Sequence, residues 1–160
     1  MFQQVPLVEM DGMKLVQTKA ILNYIAGKYN LIDMYAEGTR DLMDMIKILP
    51  FVSPDEKTTK LELIQSKALE RYFPVYEKAL SGSQYLVGDH LSCADVHLLE
   101  ATLMVEEKFP SILSSFPNLQ AFQARMKTIP AISKFLQPGS KRKPPPDDIY
   151  VKTVKEVLRF

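Results

Sequence analysis

Few side chains in this sequence have a type and position that suit chemistry. Cys93 follows Ser92, a predicted helix N-cap, and a helix N-terminus favours the thiolate of a cysteine placed there. No second catalytic group accompanies Cys93, so we predict a small packed residue rather than a nucleophile. His97 lies one turn further along, without the cysteines or carboxylates that would make it a metal ligand. We therefore expect a packed or surface histidine and no metal site.

Composition limits the partners and the compartment of the protein. The 20 Lys and Arg residues balance 19 Asp and Glu residues, so no net field attracts nucleic acid or an anionic membrane. Cys93 is the single cysteine, which excludes an internal disulfide and suits a reducing compartment, with the cytoplasm as the expected location. Residues 1–6 lack the features of a signal peptide, and no apolar run is long enough to span a bilayer.

A hairpin and a series of helices must position these residues, so the expected fold class is mainly α. Residues 4–16 alternate loosely between apolar and polar around Asp11-Gly12, which supplies the positive φ angles of a tight hairpin turn. Apolar residues at helical spacing predict helices over residues 17–29 and 32–49. Taken alone, Gln17-Thr18 is a helix entrance and Asp11-Gly12 a turn.

Two capping boxes mark the starts of further helices. Ser53 supplies an N-cap hydroxyl and Glu56 can reach back to it, which predicts a long helix ending near residue 80. Ser92 and Asp95 repeat the pattern before another apolar run. A capping box accounts fully for Ser92 and Asp95, so we assign them a structural role.

The C-terminal third contains shorter helices and a stiff connector. Apolar spacing predicts helices over residues 119–129 and 131–136. Residues 141–146 are basic and proline-rich, which favours an extended connector on the surface. A final helix, capped by Asp147 or Asp148, has one broad face that can cover an apolar pocket. That face consists of Tyr150, Val154, Val157 and Leu158.

Seven short stretches occur in an order that is far more specific than any one of them. They are Phe2-Gln3-Gln4-Val5-Pro6, Asp11-Gly12, Gln17-Thr18, Arg71-Tyr72-Phe73-Pro74, Tyr85-Leu86-Val87-Gly88, Leu91-Ser92-Cys93-Ala94-Asp95 and Phe135-Leu136-Gln137-Pro138-Gly139-Ser140. Together they closely resemble alpha-class cytosolic glutathione transferases. The resemblance implies part of a thioredoxin-like glutathione-binding domain over residues 1–30, namely its C-terminal half. An all-helical substrate-binding domain would follow over residues 31–160.

The resemblance also implies a glutathione site. Gln4 and Val5 match the positions beside a cis-proline, here Pro6, whose backbone pairs with the tripeptide like an added strand. Gln17 and Thr18 match the pair that holds the γ-glutamyl carboxylate at a helix start, where backbone N–H groups and the helix dipole favour an anion. Glutathione would be a co-substrate, with no cofactor bound permanently.

Further matched positions lie at the family's subunit interface. Asp41 and Arg71 match residues that reach glutathione across that interface, and Phe2 matches an aromatic residue that inserts into the partner subunit. The resemblance therefore implies a homodimer, or a heterodimer with a related subunit. It implies neither nucleic acid nor membrane as a partner.

The hydrophobic pocket is matched at positions in two regions. Ile48, Phe51, Leu158 and Phe160 correspond to lining residues, and the last helix corresponds to a lid. The sequence around that helix is closer to the alkenal-conjugating members, in which Tyr150 would polarise an aldehyde carbonyl.

The sequence departs from the family at two places. Members begin with a strand, a helix and a strand that carry the catalytic tyrosine, and we expect this chain to be an N-terminally truncated form without them. No catalytic residue is therefore assigned, Tyr150 apart. The linker around residues 30–33 is also shorter than in the family. Two hypotheses follow: a transferase that conjugates glutathione to hydrophobic electrophiles, or a catalytically impaired fragment that binds ligands or pairs with a complete subunit.

Overall fold

A computed structural model describes residues 7–16, 21, 33–87, 90–143 and 146–159. Within these ranges the chain forms one small sheet and seven α-helices, which confirms a mainly α fold. The elements are β1 (Leu7–Met10), β2 (Met13–Val16), α1 (Asp33–Lys47), α2 (Pro54–Lys67), α3 (Phe73–Ala79), α4 (Cys93–Glu106), α5 (Pro117–Thr128), α6 (Pro130–Leu136) and α7 (Asp148–Leu158). Most of the helix predicted over residues 17–29 lies outside the described residues; Ile21, which is described, is helical and buried.

The predicted hairpin is formed. β1 and β2 pair antiparallel, with Leu7 opposite Val16 and Met10 opposite Met13. Asp11 and Gly12 connect them with φ angles of 52° and 74°. Both angles are positive, as a two-residue hairpin turn requires, and this confirms the turn predicted from the dipeptide.

The long helix predicted from residue 54 to residue 80 is present but is interrupted. Between α2 and α3 the chain forms a π-helical turn over Ala68–Tyr72, in which the N–H of Phe73 donates to the carbonyl of Ala68. Pro74, at the start of α3, has no N–H, and its ring crowds the carbonyl four residues earlier. The wider π-helical turn relieves this conflict, so the helix continues past Pro74 with a single bulge.

Gly38 leaves room on α1 for the hydroxyl of Tyr76, a residue of α3. A Cβ atom at Gly38 would lie 2.9 Å from Tyr76 Oη. Tyr76 is 2% exposed, and its hydroxyl donates to the carbonyl of Tyr35 over 3.4 Å. Burial raises the pKa of Tyr76 well above its ordinary value, so this hydroxyl remains a donor. The glycine that weakens α1 in isolation therefore serves a contact between helices.

The core lies between α1, α4 and α5, with α2, the π-helical turn and α3 packed beside them. Its largest fully buried apolar side chains are Leu42, Ile64, Phe73, Leu98, Val105, Leu119, Phe122 and Met126. The rings of Phe73 and Phe116 meet edge to face, with centroids 5.4 Å apart. This core belongs to residues 33 onward, where the sequence predicts an all-helical domain.

α4 begins with the predicted capping box of Ser92 and Asp95. Asp95 is fully buried, and its Oδ2 accepts from the N–H and the hydroxyl of Ser92, both at 2.8 Å. Its Oδ1 accepts from the N–H of Leu86 at 2.8 Å, which satisfies the carboxylate and fixes the preceding loop. The prediction that Cys93 is packed is wrong. Its side chain is exposed because Ala94 and Asp95 take the buried positions of this turn.

The start of α5 is capped from another helix. Glu77 of α3 accepts hydrogen bonds from the backbone N–H groups of Asn118 and Leu119, each at 2.9 Å. The Asn118 side-chain amide donates in return to the Glu77 carbonyl over 3.3 Å. A carboxylate at a helix N-terminus satisfies free N–H groups and complements the helix dipole, so this contact joins α3 to α5.

Candidate functional site

A cleft of about 680 Å³ opens beneath α7. Its walls come from the end of α1, the 3₁₀ turn over Leu49–Phe51, the start of α2, the C-terminal half of α4, and α7. Three residues of the connector predicted over residues 141–146 form the remaining wall: Arg142, Lys143 and Pro146. Ligand pockets for small molecules commonly have volumes of roughly 300 to 1,000 Å³, so the cleft can hold a small molecule.

The cleft has an apolar interior and a charged rim. The residues without a formal charge are Ile46, Leu49, Pro50, Phe51, Leu61, Met104, Pro146, Tyr150 and Val151. The charged residues are Lys47, Lys57, Glu100, Glu107, Lys108, Arg142, Lys143 and Asp148. Such a lining suits an apolar molecule that carries a polar end. Of these lining residues, the sequence predicted only Phe51 and Tyr150 as pocket residues.

Phe51 and Tyr150 meet where the 3₁₀ turn touches α7. Their ring centroids lie 6.5 Å apart with an interplanar angle of 52°, within the range of attractive aromatic pairs. Asp147 caps α7 by accepting from the N–H of Tyr150 at 2.7 Å, which confirms the predicted cap. The Tyr150 side chain is half exposed, and its hydroxyl forms no hydrogen bond within the described ranges of the chain. Its O–H is therefore free to donate to a bound molecule.

Arg142 occupies the connector side of the cleft. One terminal nitrogen of its guanidinium lies 3.3 Å from Glu100 Oε1 and 3.4 Å from Glu107 Oε1. Sequence reasoning missed this arrangement and treated the basic run as a solvated connector. Glu100 lies in α4 and Glu107 is the C-cap residue that follows it, so the two side chains, seven residues apart, project from one side of the helix. This seven-residue spacing is visible in the sequence, but it does not indicate which Lys or Arg side chain would pair with the two glutamates.

Two other predicted pocket residues, Ile48 and Leu158, lie outside the cleft. Ile48 is 50% exposed and Leu158 is 63% exposed, and neither contributes to the lining. Phe160 lies outside the described residues. Of the predicted set, the structure brings together Phe51 and Tyr150.

Asp41 and Arg71 occupy adjacent elements. Asp41 is an exposed residue of α1, and Arg71 is an exposed residue of the π-helical turn, which packs on α1. The guanidinium of Arg71 lies 5.4 Å from the ring centroid of Tyr72. Both charged groups thus face outward. The remaining predicted glutathione-site and interface residues lie outside the described residues: Phe2, Gln4, Val5, Pro6, Gln17 and Thr18.

Two further observations concern metal binding and membrane spanning. Across the described ranges, no group of three His, Cys, Asp or Glu side chains is placed to hold a metal ion. His97 is half-buried in α4, in agreement with a packed or surface histidine. No helix in the described part of the chain is both long enough and apolar enough to cross a membrane.

Comparison with known protein families matches both parts of the chain. The sequence model of the glutathione S-transferase C-terminal domain matches residues 39–130, and that of the N-terminal domain matches residues 1–27. The first match includes most of α1 and every element from α2 to α5. The two matches follow the order of domains that the sequence resemblance implies.

Individual relatives are similar over the whole chain. Glutathione S-transferase 3 of Gallus gallus is 59% identical over 172 residues, covering 100% of this chain and 75% of that protein. Glutathione S-transferase A4 of Mus musculus is 58% identical, covering 100% and 78%. Each alignment has twelve more positions than the 160 residues of this chain, so it includes positions that this chain lacks. The unmatched interval between the two domain models, residues 28–38, includes the site of the predicted shortening.

Solved structures agree with the fold. The structure of NaGST-2 superimposes with a TM-score of 0.58 at 30% sequence identity, covering 87% of this chain and 75% of that one. Monomeric Na-GST-3, a glutathione S-transferase from the hookworm Necator americanus, gives a TM-score of 0.60 at 26% identity, covering 88% and 76%.

Proposed function

Since this chain belongs to the glutathione S-transferase family, we propose that it joins the sulfur of reduced glutathione to hydrophobic electrophiles. The observation that carries the proposal is the identity of more than half of the aligned positions with alpha-class transferases, over the full length of the chain. The expected role is detoxification of xenobiotics and of products of lipid peroxidation, in the cytoplasm. Glutathione is then a co-substrate that leaves as the conjugate.

The reaction forms one carbon–sulfur bond. With an aromatic halide, the thiolate bonds to the ring carbon and the halide leaves as an anion. With a 2-alkenal, sulfur bonds to the β-carbon, the double-bond electrons move to the carbonyl oxygen, and a proton is then taken up at the α-carbon. The thiol proton passes to solvent in both cases. We assign no residue of this chain to activation of the thiol.

Tyr150 is assigned to the carbonyl oxygen of an alkenal. A donor aimed at an oxygen that gains negative charge in the transition state stabilises that state more than the ground state. Tyr150 is suited to this role because its hydroxyl forms no hydrogen bond within the described part of the chain and its ring lies at the cleft. The apolar chain of the aldehyde would lie against Phe51. Ile48, Leu158 and Phe160 are assigned to the same pocket on the family resemblance alone.

The glutathione site is assigned to five residues of the N-terminal segment. The backbone at Gln4 and Val5, set by Pro6, would pair with the cysteinyl part of the tripeptide. Gln17 and Thr18 would hold the γ-glutamyl carboxylate at a helix start. The match of the N-terminal domain model to residues 1–27, which include all five positions, supports this assignment.

We further propose a dimer in which Asp41 and Arg71 reach the partner's glutathione and Phe2 inserts between subunits. The outward orientation of both charged residues on adjacent elements supports this role. The proposed domains are residues 1–30, for glutathione, and residues 31–160, for the electrophile.

Conjugation assays test the proposed function. The purified chain is expected to form conjugates with 1-chloro-2,4-dinitrobenzene and with 2-hexenal faster than the uncatalysed reactions. The double variant Gln17→Ala/Thr18→Ala is expected to raise KM for glutathione by about tenfold or more, because it removes about 1.4 kcal/mol or more of carboxylate binding. Conjugates are quantified by chromatography and mass spectrometry.

The matched control changes the same residue types on the exposed face of α2, as Thr58→Ala/Gln65→Ala. It should leave KM for glutathione unchanged. Rates equal to the uncatalysed background, together with no retention on immobilised glutathione, would overturn the proposed function.

A further inference from the structure

α7 buries little of its own surface against the rest of the domain. None of its described residues is buried, and Val151 and Val154 are only half-buried. Ile149 is 77% exposed and Val157 is 71% exposed, so burial of apolar surface does not hold this helix tightly. It contacts the 3₁₀ turn, where the ring of Tyr150 lies against that of Phe51. A helix held in this way needs a second point of attachment.

Arg142 supplies that second point. It lies five residues before the Asp147 cap of α7, in a segment fixed by a short turn. The N–H of Ser140 donates to the carbonyl of Gln137 over 3.2 Å, and the Ser140 hydroxyl accepts from the N–H of Arg142 over 3.1 Å. These bonds set the backbone of Arg142 before its side chain reaches α4.

The guanidinium then bridges the carboxylates of Glu100, in α4, and of Glu107, the C-cap residue of that helix. Glu100 and Glu107 are 42 and 35 residues away in sequence, yet both lie within 3.4 Å of the same nitrogen of Arg142. The Arg142 side chain is 30% exposed, so solvent screens these ion pairs only in part. Both carboxylates lie within 3.4 Å of one nitrogen and are therefore near each other, so without the cation their like charges would repel.

The geometry points to Arg142 as a positioning residue that holds α7 over the cleft. By tying the connector to Glu100 and Glu107, Arg142 fixes where α7 begins and therefore where Tyr150 meets Phe51. It touches neither the reacting sulfur nor the assigned carbonyl position, and acts through the placement of α7. The catalytic consequence rests on the proposed function: looser attachment weakens binding of the electrophile and leaves binding of glutathione unchanged.

Hydrogen–deuterium exchange tests the attachment without any assay of activity. In Arg142→Met, which keeps most of the apolar stem, the amides of residues 150–158 are expected to exchange about three- to tenfold faster than in the wild type. The amides of α4 and α5 should exchange at unchanged rates. The matched control is Lys141→Met, which removes the neighbouring exposed cation and should leave α7 unaffected.

Each other outcome of the exchange experiment counts against the inference. Unchanged exchange in α7 would show that the bridge does not hold it. An equal rise in α4, α5 and α7 would show a general loss of stability. An equal effect of Lys141→Met would show that nearby positive charge alone matters.

Arg142→Lys separates geometry from charge. A lysine keeps the cation, but it presents a single ammonium group instead of a planar fork with several N–H donors. We expect exchange in α7 to lie between that of the wild type and that of Arg142→Met. Exchange as fast as in Arg142→Met, or slower than in the wild type, would contradict the proposed bridge.

Kinetics then tests the consequence for substrate. For 2-hexenal, KM is expected to rise about three- to tenfold in Arg142→Met, while KM for glutathione stays within twofold of the wild type. Equal rises in both constants would overturn the assigned role. Absence of activity in the wild type would contradict the proposed function, while the exchange result would still decide whether Arg142 holds α7.

Discussion

At the scale of the residue, Gly38 shows how a local weakness can serve a contact between helices. Its missing side chain leaves room for Tyr76, whose hydroxyl would lie 2.9 Å from a Cβ atom. Such a distance is shorter than ordinary van der Waals contact, and Tyr76 is too deeply buried to move freely. Tyr76 or the backbone of α1 would therefore have to shift to admit a methyl group.

Gly38→Ala is expected to lower the free energy of unfolding by about 1–2 kcal/mol. Overpacking in a tight core destabilises by roughly 1–3 kcal/mol, and the higher helix propensity of alanine returns at most about 1 kcal/mol. Urea denaturation followed by circular dichroism measures the difference.

Tyr76→Phe provides the control because it removes the clashing oxygen. The next atom of the ring, Cζ, is 4.0 Å from the added Cβ, an ordinary contact. In the Tyr76→Phe background, Gly38→Ala should therefore be neutral or stabilise by up to about 1 kcal/mol. The same loss in both backgrounds would show that the hydroxyl is not the cause.

At the scale of the element, Glu77 joins two helices that are distant in sequence. Its carboxylate caps α5 through the N–H groups of Asn118 and Leu119. Because those groups have no partner within their own helix, the cap decides how α5 begins and where it sits against α3.

Glu77→Gln is expected to destabilise the domain by about 1–2 kcal/mol, since it removes the negative charge and leaves one acceptor for two donors. Chemical denaturation gives the change in free energy. Glu70→Gln is the matched control, because Glu70 is exposed and its carboxylate forms no hydrogen bond or ion pair within the described ranges. Equal effects of the two variants would exclude the cap as the source of stability.

Local sequence patterns were sufficient for most elements. The hairpin at Asp11-Gly12, the boxes at Ser53 and Ser92, and the cap at Asp147 depend on neighbours within a few residues, so the sequence indicates them directly. The π-helical turn was not predicted, although Pro74 is its local cause. The low helix propensity of proline predicts that it disturbs a helix. It does not predict whether the packing of the domain favours a kink, a break or a π-helical turn.

The candidate site could be predicted only in part, because its contacts join distant segments. Phe51 and Tyr150 were identified through the family resemblance, and their meeting is visible only in the fold. The bridge from Arg142 to Glu100 spans 42 residues, and periodicity contains no information on such pairing. Exposure of Cys93 likewise depends on which side of the first turn of α4 faces the core.

At the scale of the whole molecule, the helical domain supplies the cleft and α7 covers it. The apolar interior suits an electrophile with a hydrocarbon chain, and the free hydroxyl of Tyr150 suits its carbonyl group. Gln17 and Thr18 are assigned to the other end of the same conjugate. The central claim is that one product molecule occupies both regions.

A crystal structure of the chain with the glutathione conjugate of 2-hexenal tests this claim most directly, because that product keeps its carbonyl oxygen. We predict the hydrocarbon chain in the cleft against Phe51 and the carbonyl oxygen about 3 Å from Tyr150 Oη. The γ-glutamyl carboxylate should lie at Gln17 and Thr18. A conjugate whose hydrocarbon chain lies outside the cleft, or whose carbonyl oxygen faces away from Tyr150, would contradict the account.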